Sequence, residues 1–273
     1  MSSNPKASVI ISTYNQPEWL VLVLHSYSLQ TFLEFELIIA DDGSDQRTKA
    51  VVDTFDHESS LRVTHVWQRD EGFRKTKILN KAITIANSDY LIFTDGDCIA
   101  RQDFVESHLS LRKTKCALSG GYFKLSKSIS KSITKTDITK QRCFDKSWLL
   151  SMGQPKTFKL QKLTTSKQKA FLLNNLTPTK ATFDGMNVSC YKTDIVAVNG
   201  FDERMEYGGE DREVGERMVN NGIKFLQVRY SAICVHLHHD RPYKDIKVIQ
   251  RNKNIRQETK KNKTIYTKHG IQK

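Results

Sequence analysis

No stretch of the chain approaches eighteen consecutive apolar residues, which excludes a membrane-spanning helix. Residues Met1 to Ser8 lack the apolar core of a secretory signal, so export by that route is not expected. The five cysteines (Cys98, Cys116, Cys143, Cys190 and Cys234) are odd in number and scattered, and none stands in a C-x-x-C pair. Neither a disulfide framework nor a zinc knuckle is suggested, and a reducing cytoplasm fits best, with most of the thiols acting as small buried apolar groups. No internal repeat is visible.

What is present is enough chain for one large α/β domain, with an apolar and aromatic content ordinary for a soluble protein. The net charge of +13 is unevenly spread. Residues 1–110 carry 10 basic and 16 acidic side chains, and residues 171–243 carry 8 and 10. Residues 111–170 carry 15 and 2, and residues 244–273 carry 10 and 2. The excess therefore belongs to an insertion and a tail. Such segments attract polyanions, either nucleic acid or an anionic membrane face, or simply form a solvated surface.

The first hundred residues alternate as a parallel α/β sheet does. Strands are expected at 7–12, 36–40, 61–67 and 90–93, with helices at 17–29, 45–55 and 73–86, where Ile78, Leu79, Ala82, Ile83 and Ala86 repeat at helical spacing. The strands end at Thr13-Tyr14-Asn15, Asp41-Asp42-Gly43-Ser44 and Asp95-Gly96-Asp97. Ligand crevices of open α/β sheets lie beyond the carboxyl ends of the strands, so these clusters should converge. Residues 124–180, rich in Lys, Ser and Thr with weak apolar periodicity, read as an irregular insertion, either a lid or disordered. Order resumes at Ala181. A helix at about 210–221 closed by Gly222 follows, then a strand from Val228 to His238, and a polar basic tail after Lys244 that is either helical or disordered. The expected organisation is one domain over 1–243, with a nucleotide-binding half at 1–123, the insertion, an acceptor half at 181–243, and the tail.

Asp95 and Asp97 sit at i, i+2 after an apolar strand, where two carboxylates can share one side of a cleft and hold a divalent cation by hard oxygen ligands. Without further context the pair would be an acidic turn. Asp41-Asp42-Gly43-Ser44 suits either hydrogen bonding to a base and ribose or a turn with a helix cap. Gly208-Gly209-Glu210-Asp211 opens a helix, where a carboxylate either caps the backbone or takes a proton from an attacking hydroxyl. Val235-His236-Leu237-His238-His239-Asp240 puts three imidazoles in four residues, and an extended backbone would turn His236 and His238 to one face.

The order Ser12-Thr13-Tyr14-Asn15, Asp41-Asp42-Gly43-Ser44, Asp95-Gly96-Asp97, Gly208-Gly209-Glu210-Asp211 and a late histidine resembles family 2 of the inverting glycosyltransferases. The stretch from Asn187 through Asn199-Gly200-Phe201-Asp202-Glu203-Arg204 to Asp211 is similar to the galactosyltransferase-type C-terminal half. That half is also found in bacterial chondroitin-polymerase-like and polypeptide N-acetylgalactosaminyltransferase-like enzymes. The resemblance covers residues 7–123 and 181–240 and implies a GT-A fold, a mostly parallel sheet flanked by helices. It implies a UDP-sugar donor, Mn²⁺ or Mg²⁺, and a glycan or lipid-linked acceptor, as in bacterial surface polysaccharide or lipopolysaccharide synthesis.

On that resemblance Thr13, Tyr14 and Asp41 would hold the base, with Asp42 supporting the loop. Arg74 and Lys77 would approach the nucleotide or diphosphate, and Asn187 would border the donor sugar. Asp95 would contact ribose or metal, and Asp97 would ligate the metal with His236 or His238 beside it. Asp211 would be the catalytic base and Glu210 would orient sugar hydroxyls. Two departures stand out: Tyr207 replaces the tryptophan common before Gly-Gly-Glu-Asp, and residues 124–180 align with nothing and are where acceptor choice should reside. A nucleotidyltransferase making nucleotide sugars is the rival enzyme, but it needs a glycine-rich loop where this chain has Ser12-Thr13-Tyr14-Asn15-Gln16. A nucleic-acid-binding protein is the rival without catalysis; the acidic strand ends and the lack of a binding module argue against nucleic acid. The tail is expected to make peripheral contact with the anionic inner face of a membrane.

Overall fold

The computed structural model describes residues 4–240 and 244–272. The expected boundary at residue 243 lies outside these. The chain begins with strict alternation: β1 (Ala7–Thr13), α1 (Pro17–Ser28), β2 (Phe35–Asp41), α2 (Gln46–Glu58), β3 (Arg62–Trp67), α3 (Lys75–Ile85) and β4 (Tyr90–Asp95). It continues with β5 (Cys98–Ala100), α4 (Phe104–Leu111), β6 (Cys116–Ser119) and β7 (Gly121–Lys124). The insertion holds α5 (Lys127–Ser132), α6 (Lys135–Thr139), α7 (Lys146–Ser151) and α8 (Lys167–Leu176). Then come β8 (Asn187–Tyr191), α9 (Lys192–Ala197), α10 (Glu210–Asn220), β9 (Lys224–Gln227), β10 (Ile233–His236) and α11 (Ile246–Lys261).

Seven strands form one mixed sheet in the order β3-β2-β1-β4-β8-β6-β9, and β5-β10-β7 form a second. β1 pairs in parallel with both β2 and β4, whereas β8 runs antiparallel to β4 and β6. Every residue of β1 and β2 is buried. That is why both read as continuous apolar runs rather than alternating ones. Period-two alternation still sorts them: Val9, Ile11 and Leu37 join one core, Ile10 and Ile38 the other, on opposite faces of the sheet. Ile78, Leu79, Ala82 and Ile83 of α3 pack into the second core, as their spacing predicts.

Two expectations need correction, and a third, that the tail is either helical or disordered, resolves to a helix. Residues 124–180 are a helical layer, not an irregular loop: Ile129, Ile133, Ile138, Phe144, Leu149, Leu160 and Leu163 are buried in the same core as β1. Helices of five or six residues are too short to display a 3.6-residue period, which hid them. The stretch from Val228 to His238 is not one strand, because a turn closed by Ser231 and Ala232 N–H groups on the Val228 carbonyl separates β9 from β10. The chain after Lys244 is tied to the domain. On α11, Thr259 Oγ1 donates to Glu213 Oε1 at 2.9 Å, and Arg256 and Lys260 pair with Glu216 at 2.5 and 3.1 Å. Among the described residues no helix is long and apolar enough to cross a membrane.

Candidate active site

A cleft of about 600 Å³ opens at the carboxyl ends of β1 and β4, and the turn that starts α10 faces it. At one end lie Thr13, Tyr14 and Asp42. The loops after β1 and β2 are stitched together there: Asp42 N–H donates to the Thr13 carbonyl at 3.0 Å, Asn15 N–H to Ser44 Oγ at 2.9 Å, and Asp45 N–H to Asn15 Oδ1 at 2.8 Å. Gly43 has φ +97°, and a Cβ added there would lie 2.6 Å from the Asp70 backbone, so only glycine fits. The two neighbouring aspartates divide the work. Asp41 is fully buried, accepting from Ser44 N–H at 2.8 Å and meeting His65 Nε2 at 2.9 Å. It shapes the loop and is turned away from the cleft, contrary to its expected contact with a base. Asp42 faces the cleft instead, held by Gln68 Nε2 at 2.7 Å and Arg74 N–H at 2.9 Å. Burial pushes its carboxyl up to about 6 against those hydrogen bonds.

The expected cations are displaced as well. Arg74 pairs with Glu206 at 3.3 Å and Lys77 with Glu71 at 3.4 Å, and neither lines the cleft. Lys75 does, with Nζ 2.6 Å from Asp95 Oδ1. Burial works against its charge, but Asp95, Glu210 and Asp211 outweigh that and hold the ammonium above the ordinary lysine range. Lys75 is thus the hub between the two carboxylate pairs. A sequence signal for it exists: it stands three and four residues before Ile78 and Leu79, on the buried face of α3.

Asp95 also accepts from Ser12 Oγ at 2.6 Å. Asp97 is nearly buried, and its Oδ2 lies 3.7 Å from His236 Nε2 and 3.0 Å from His239 Nε2. The two rings stack at 5.3 Å, and the Leu237 N–H bonds the Asp97 carbonyl at 2.9 Å, locking the end of β10 onto the Asp-Gly-Asp turn. His238 is exposed, does not line the cleft, and its backbone N–H donates to Ser130 Oγ at 2.8 Å; His236 and His239 are the imidazoles that line the cleft beside Asp97. Burial alone would raise the Asp97 carboxyl, yet His239 and His236 pull it below the usual range. Donor atoms of Asp97, Cys98 and His236 lie within 4.8 Å of one another. The carboxylate and imidazole suit Mn²⁺ or Mg²⁺. Cys98 suits them poorly, since burial holds its thiol well above the ordinary cysteine value and it donates to Asp97 Oδ1 at 3.4 Å.

Glu210 and Asp211 open α10 at the far side of the cleft. Glu210 accepts from Gly208 N–H at 3.0 Å; Asp211 accepts from Gly185 N–H at 3.3 Å and Arg212 N–H at 2.7 Å. Burial, with the Asp211 charge beside it, raises Glu210 to about 7 against the pull of Lys75. The turn before them is braced from α11: Asn252 Nδ2 donates to the carbonyls of Glu206, Tyr207 and Gly208 at 3.0, 3.3 and 3.2 Å. Tyr207 lines the cleft and meets Phe73 edge to face at 5.7 Å. Asn187 does not border the cleft. It is buried at the start of β8 with Nδ2 on the carbonyls of Gly121 and Ala232 at 2.6 and 3.1 Å, and Oδ1 on His108 at 2.9 Å.

The glycosyl transferase family 2 model matches residues 8–171, more than half of the chain. The chain belongs to that family. The model described as the N-terminal domain of galactosyltransferase matches residues 174–240, so the family 2 half and the galactosyltransferase-type half meet within the insertion. Among similar proteins, validoxylamine A glucosyltransferase of Streptomyces hygroscopicus is 29% identical over 241 residues, covering 83% of this chain and 54% of that protein. Chondroitin synthase of Escherichia coli is 27% identical over 245 residues, covering 84% and 34%. The chain thus spans about half, or less, of the length of the curated relatives it matches. Among solved structures, the mannosyltransferase PcManGT of Pyrobaculum calidifontis, in complex with GDP-Man and Mn²⁺, superimposes with a TM-score of 0.59 at 18% identity, covering 88% of this chain and 59% of that one. Staphylococcus aureus TarS residues 1–349, in complex with UDP-GlcNAc, gives 0.58 at 16% identity, covering 87% and 60%. The fold of this member of glycosyl transferase family 2 is that of the GT-A enzymes.

Proposed function

We propose that this glycosyltransferase moves a sugar, a hexose or N-acetylhexosamine such as galactose, from a UDP-sugar to a hydroxyl of a glycan or lipid-linked acceptor, with inversion at the anomeric carbon. One observation carries the reading: a single cleft is lined by Thr13, Tyr14 and Asp42, by Asp95, Asp97 and His236, and by Glu210 and Asp211. Solved relatives that hold GDP-Man with Mn²⁺ and UDP-GlcNAc support a nucleotide-sugar donor. Asp97 and His236 would hold the divalent cation, with His239 able to swing from Asp97 to support it. When bound, the cation supplies charge neutralisation for the departing diphosphate.

The remaining work falls to the protein. Lys75 holds Asp95 in place beside the diphosphate and adds positive charge there. Asp211, fixed by two backbone N–H groups, takes the proton from the acceptor hydroxyl. That oxygen forms the new bond to the anomeric carbon from the face opposite the diphosphate, and the bond to the diphosphate breaks with its electron pair. Glu210, titrating near neutrality, both donates and accepts hydrogen bonds to sugar hydroxyls. General-base assistance is worth about 10²–10⁴-fold, so Asp211→Asn should lose that much turnover while UDP binds as before. A variant that keeps the parent's rate would remove Asp211 from this role.

A setting in surface polysaccharide or lipopolysaccharide synthesis fits the curated relatives, which include chondroitin synthases. Contact with an anionic membrane is supported less by α11, which is committed to bracing the active-site turn, than by α8. That helix exposes Phe171, Leu172 and Leu176 close to Lys167 and Lys169.

A further inference from the structure

Beside the cleft lies a second cavity of about 530 Å³, roofed by the insertion and floored by β7. Six cations line it: Lys124, Lys159, Lys162, Lys180, Arg212 and Arg229. Among the described residues its one carboxylate is Asp184, which lines the catalytic cleft too. Such crowding is costly without a counter-charge at the half-buried three, Lys162, Arg212 and Arg229, because like charges repel most where water screens them least. Lys162 records the cost. Burial first, then Arg229 and Lys159, depress its ammonium to about 8.

The cations are placed rather than adrift. Lys162 Nζ donates to the Tyr122 carbonyl at 3.1 Å and sits 5.0 Å from the centre of the Tyr122 ring. Arg229 Nε donates to Gln227 Oε1 at 3.0 Å, and Arg212 pairs with Asp184 at 3.5 Å and bonds Thr182 Oγ1. Arg212 is also the residue after Asp211, and its Nε lies 4.0 Å from the Asp211 carboxylate. An acceptor whose hydroxyl meets Asp211 therefore presents its neighbouring unit to this cavity.

We infer that the cavity is an acceptor subsite for an anionic group, a carboxylate or a phosphate ester, carried by the acceptor next to the attacked hydroxyl. This rests on the transferase reading of the cleft, since it takes Asp211 as the point of attack. The acceptor class is then acidic rather than neutral, and the basic insertion is what selects it. Arg229 and Arg212 supply planar forks for bidentate contact, and Lys162 a point charge between them.

The test uses the whole protein saturated with UDP and Mg²⁺, so that the donor cleft is filled. Calorimetric or NMR titration compares methyl glucoside, methyl glucuronide and glucose 6-phosphate. At least one anionic sugar should bind about 10-fold or more tightly than the neutral one. The Lys162→Gln/Arg229→Gln double variant should lose most of that preference, and Lys180→Gln, which should lose less of it, serves if the double variant does not fold. A tighter glucuronide points to an acidic glycan, and a tighter glucose 6-phosphate to a sugar-phosphate acceptor. Equal binding of all three by the parent protein, or an anion preference that the substitutions leave undiminished, overturns the inference. Failure of UDP to bind the parent would count against the donor reading instead, and the three sugars alone would still decide the cavity.

Discussion

Two cavities of similar size, about 600 and 530 Å³, meet at Asp184, which lines both, and carry opposite charge. The cleft is lined by seven carboxylates, those of Asp42, Asp95, Asp97, Asp184, Glu210, Asp211 and Asp240, and among the described residues by one lysine, Lys75, whereas its neighbour gathers six cations about Asp184. An acidic cleft that takes an anionic nucleotide needs a cation to mediate, and a basic cavity needs an anion to complete it. Each cavity is therefore unfinished in a different way, and each should answer to a different ion. The division also explains the charge map of the sequence: the acidic halves build the cleft, while the basic insertion supplies Lys124, Lys159 and Lys162.

The sharpest way to separate the two is to remove the carboxylate proposed to hold the cation. Asp97→Ala leaves His236 and His239 without the group both approach. Even an outer partner of a metal ligand is worth 10–100-fold in metal affinity, so the loss of Asp97 should weaken Mn²⁺-dependent UDP binding by about 100-fold or more. Binding of an anionic sugar in the neighbouring cavity should stay within about 2-fold of the parent, because Asp97 does not line it. Calorimetry with and without Mn²⁺ measures the first, and an equal UDP affinity in the variant would take Asp97 out of the metal site.

A smaller effect distinguishes Glu210 from its neighbour. Burial and Asp211 raise its carboxyl from 4.5 to about 7. A group raised in this way binds a proton in the folded state that it has lost in the unfolded one. Its contribution to stability therefore falls as pH climbs between those two values, and the full cost is present above them. Glu210→Gln removes the cost. The variant should be more stable than the parent above about pH 7, by about 1–3 kcal/mol, and match it below about pH 4.5. Urea unfolding at a pH on either side of that window measures the gap. A difference that does not widen with pH would mean the neighbouring charges do not act on Glu210 as the geometry implies.

Much of the cleft was legible in the sequence because its residues follow strands buried on both faces. β1, β2 and β4 announce themselves as apolar runs, and the polar residues after them mark the site. What was hidden depended on backbone direction or on contacts far along the chain. Asp41 and Asp42, both buried, look interchangeable until the fold sets only Asp42 in the wall of the cleft. His239 replaced His238 because the strand stops at His236, ending the alternation on which that choice relied. The bracing role of α11 left no apolar stripe to read: its buried residues are Asn252 and Thr259, two polar groups on an otherwise charged helix. The basic cavity was visible only as a charge total, since its cations come from five separate segments.

The smallest expected effect is that of salt, and it bears on the same division. Arg212, Arg229 and Lys162 are half-buried, whereas Lys124, Lys159 and Lys180 are exposed. Screening shortens from about 10 Å at 0.1 M to about 3 Å at 1 M ionic strength, and it reaches exposed charges first. Over that range an anionic sugar should lose about 3- to 10-fold in affinity as the exposed lysines are screened. A residue of preference over the neutral sugar should persist on the half-buried three. UDP held through a coordinated cation should lose less, because its contacts are short and enclosed. Titrations at both ionic strengths check this; equal losses for UDP and the anionic sugar would mean that the two cavities see one averaged field, and that their opposite charges do not act separately.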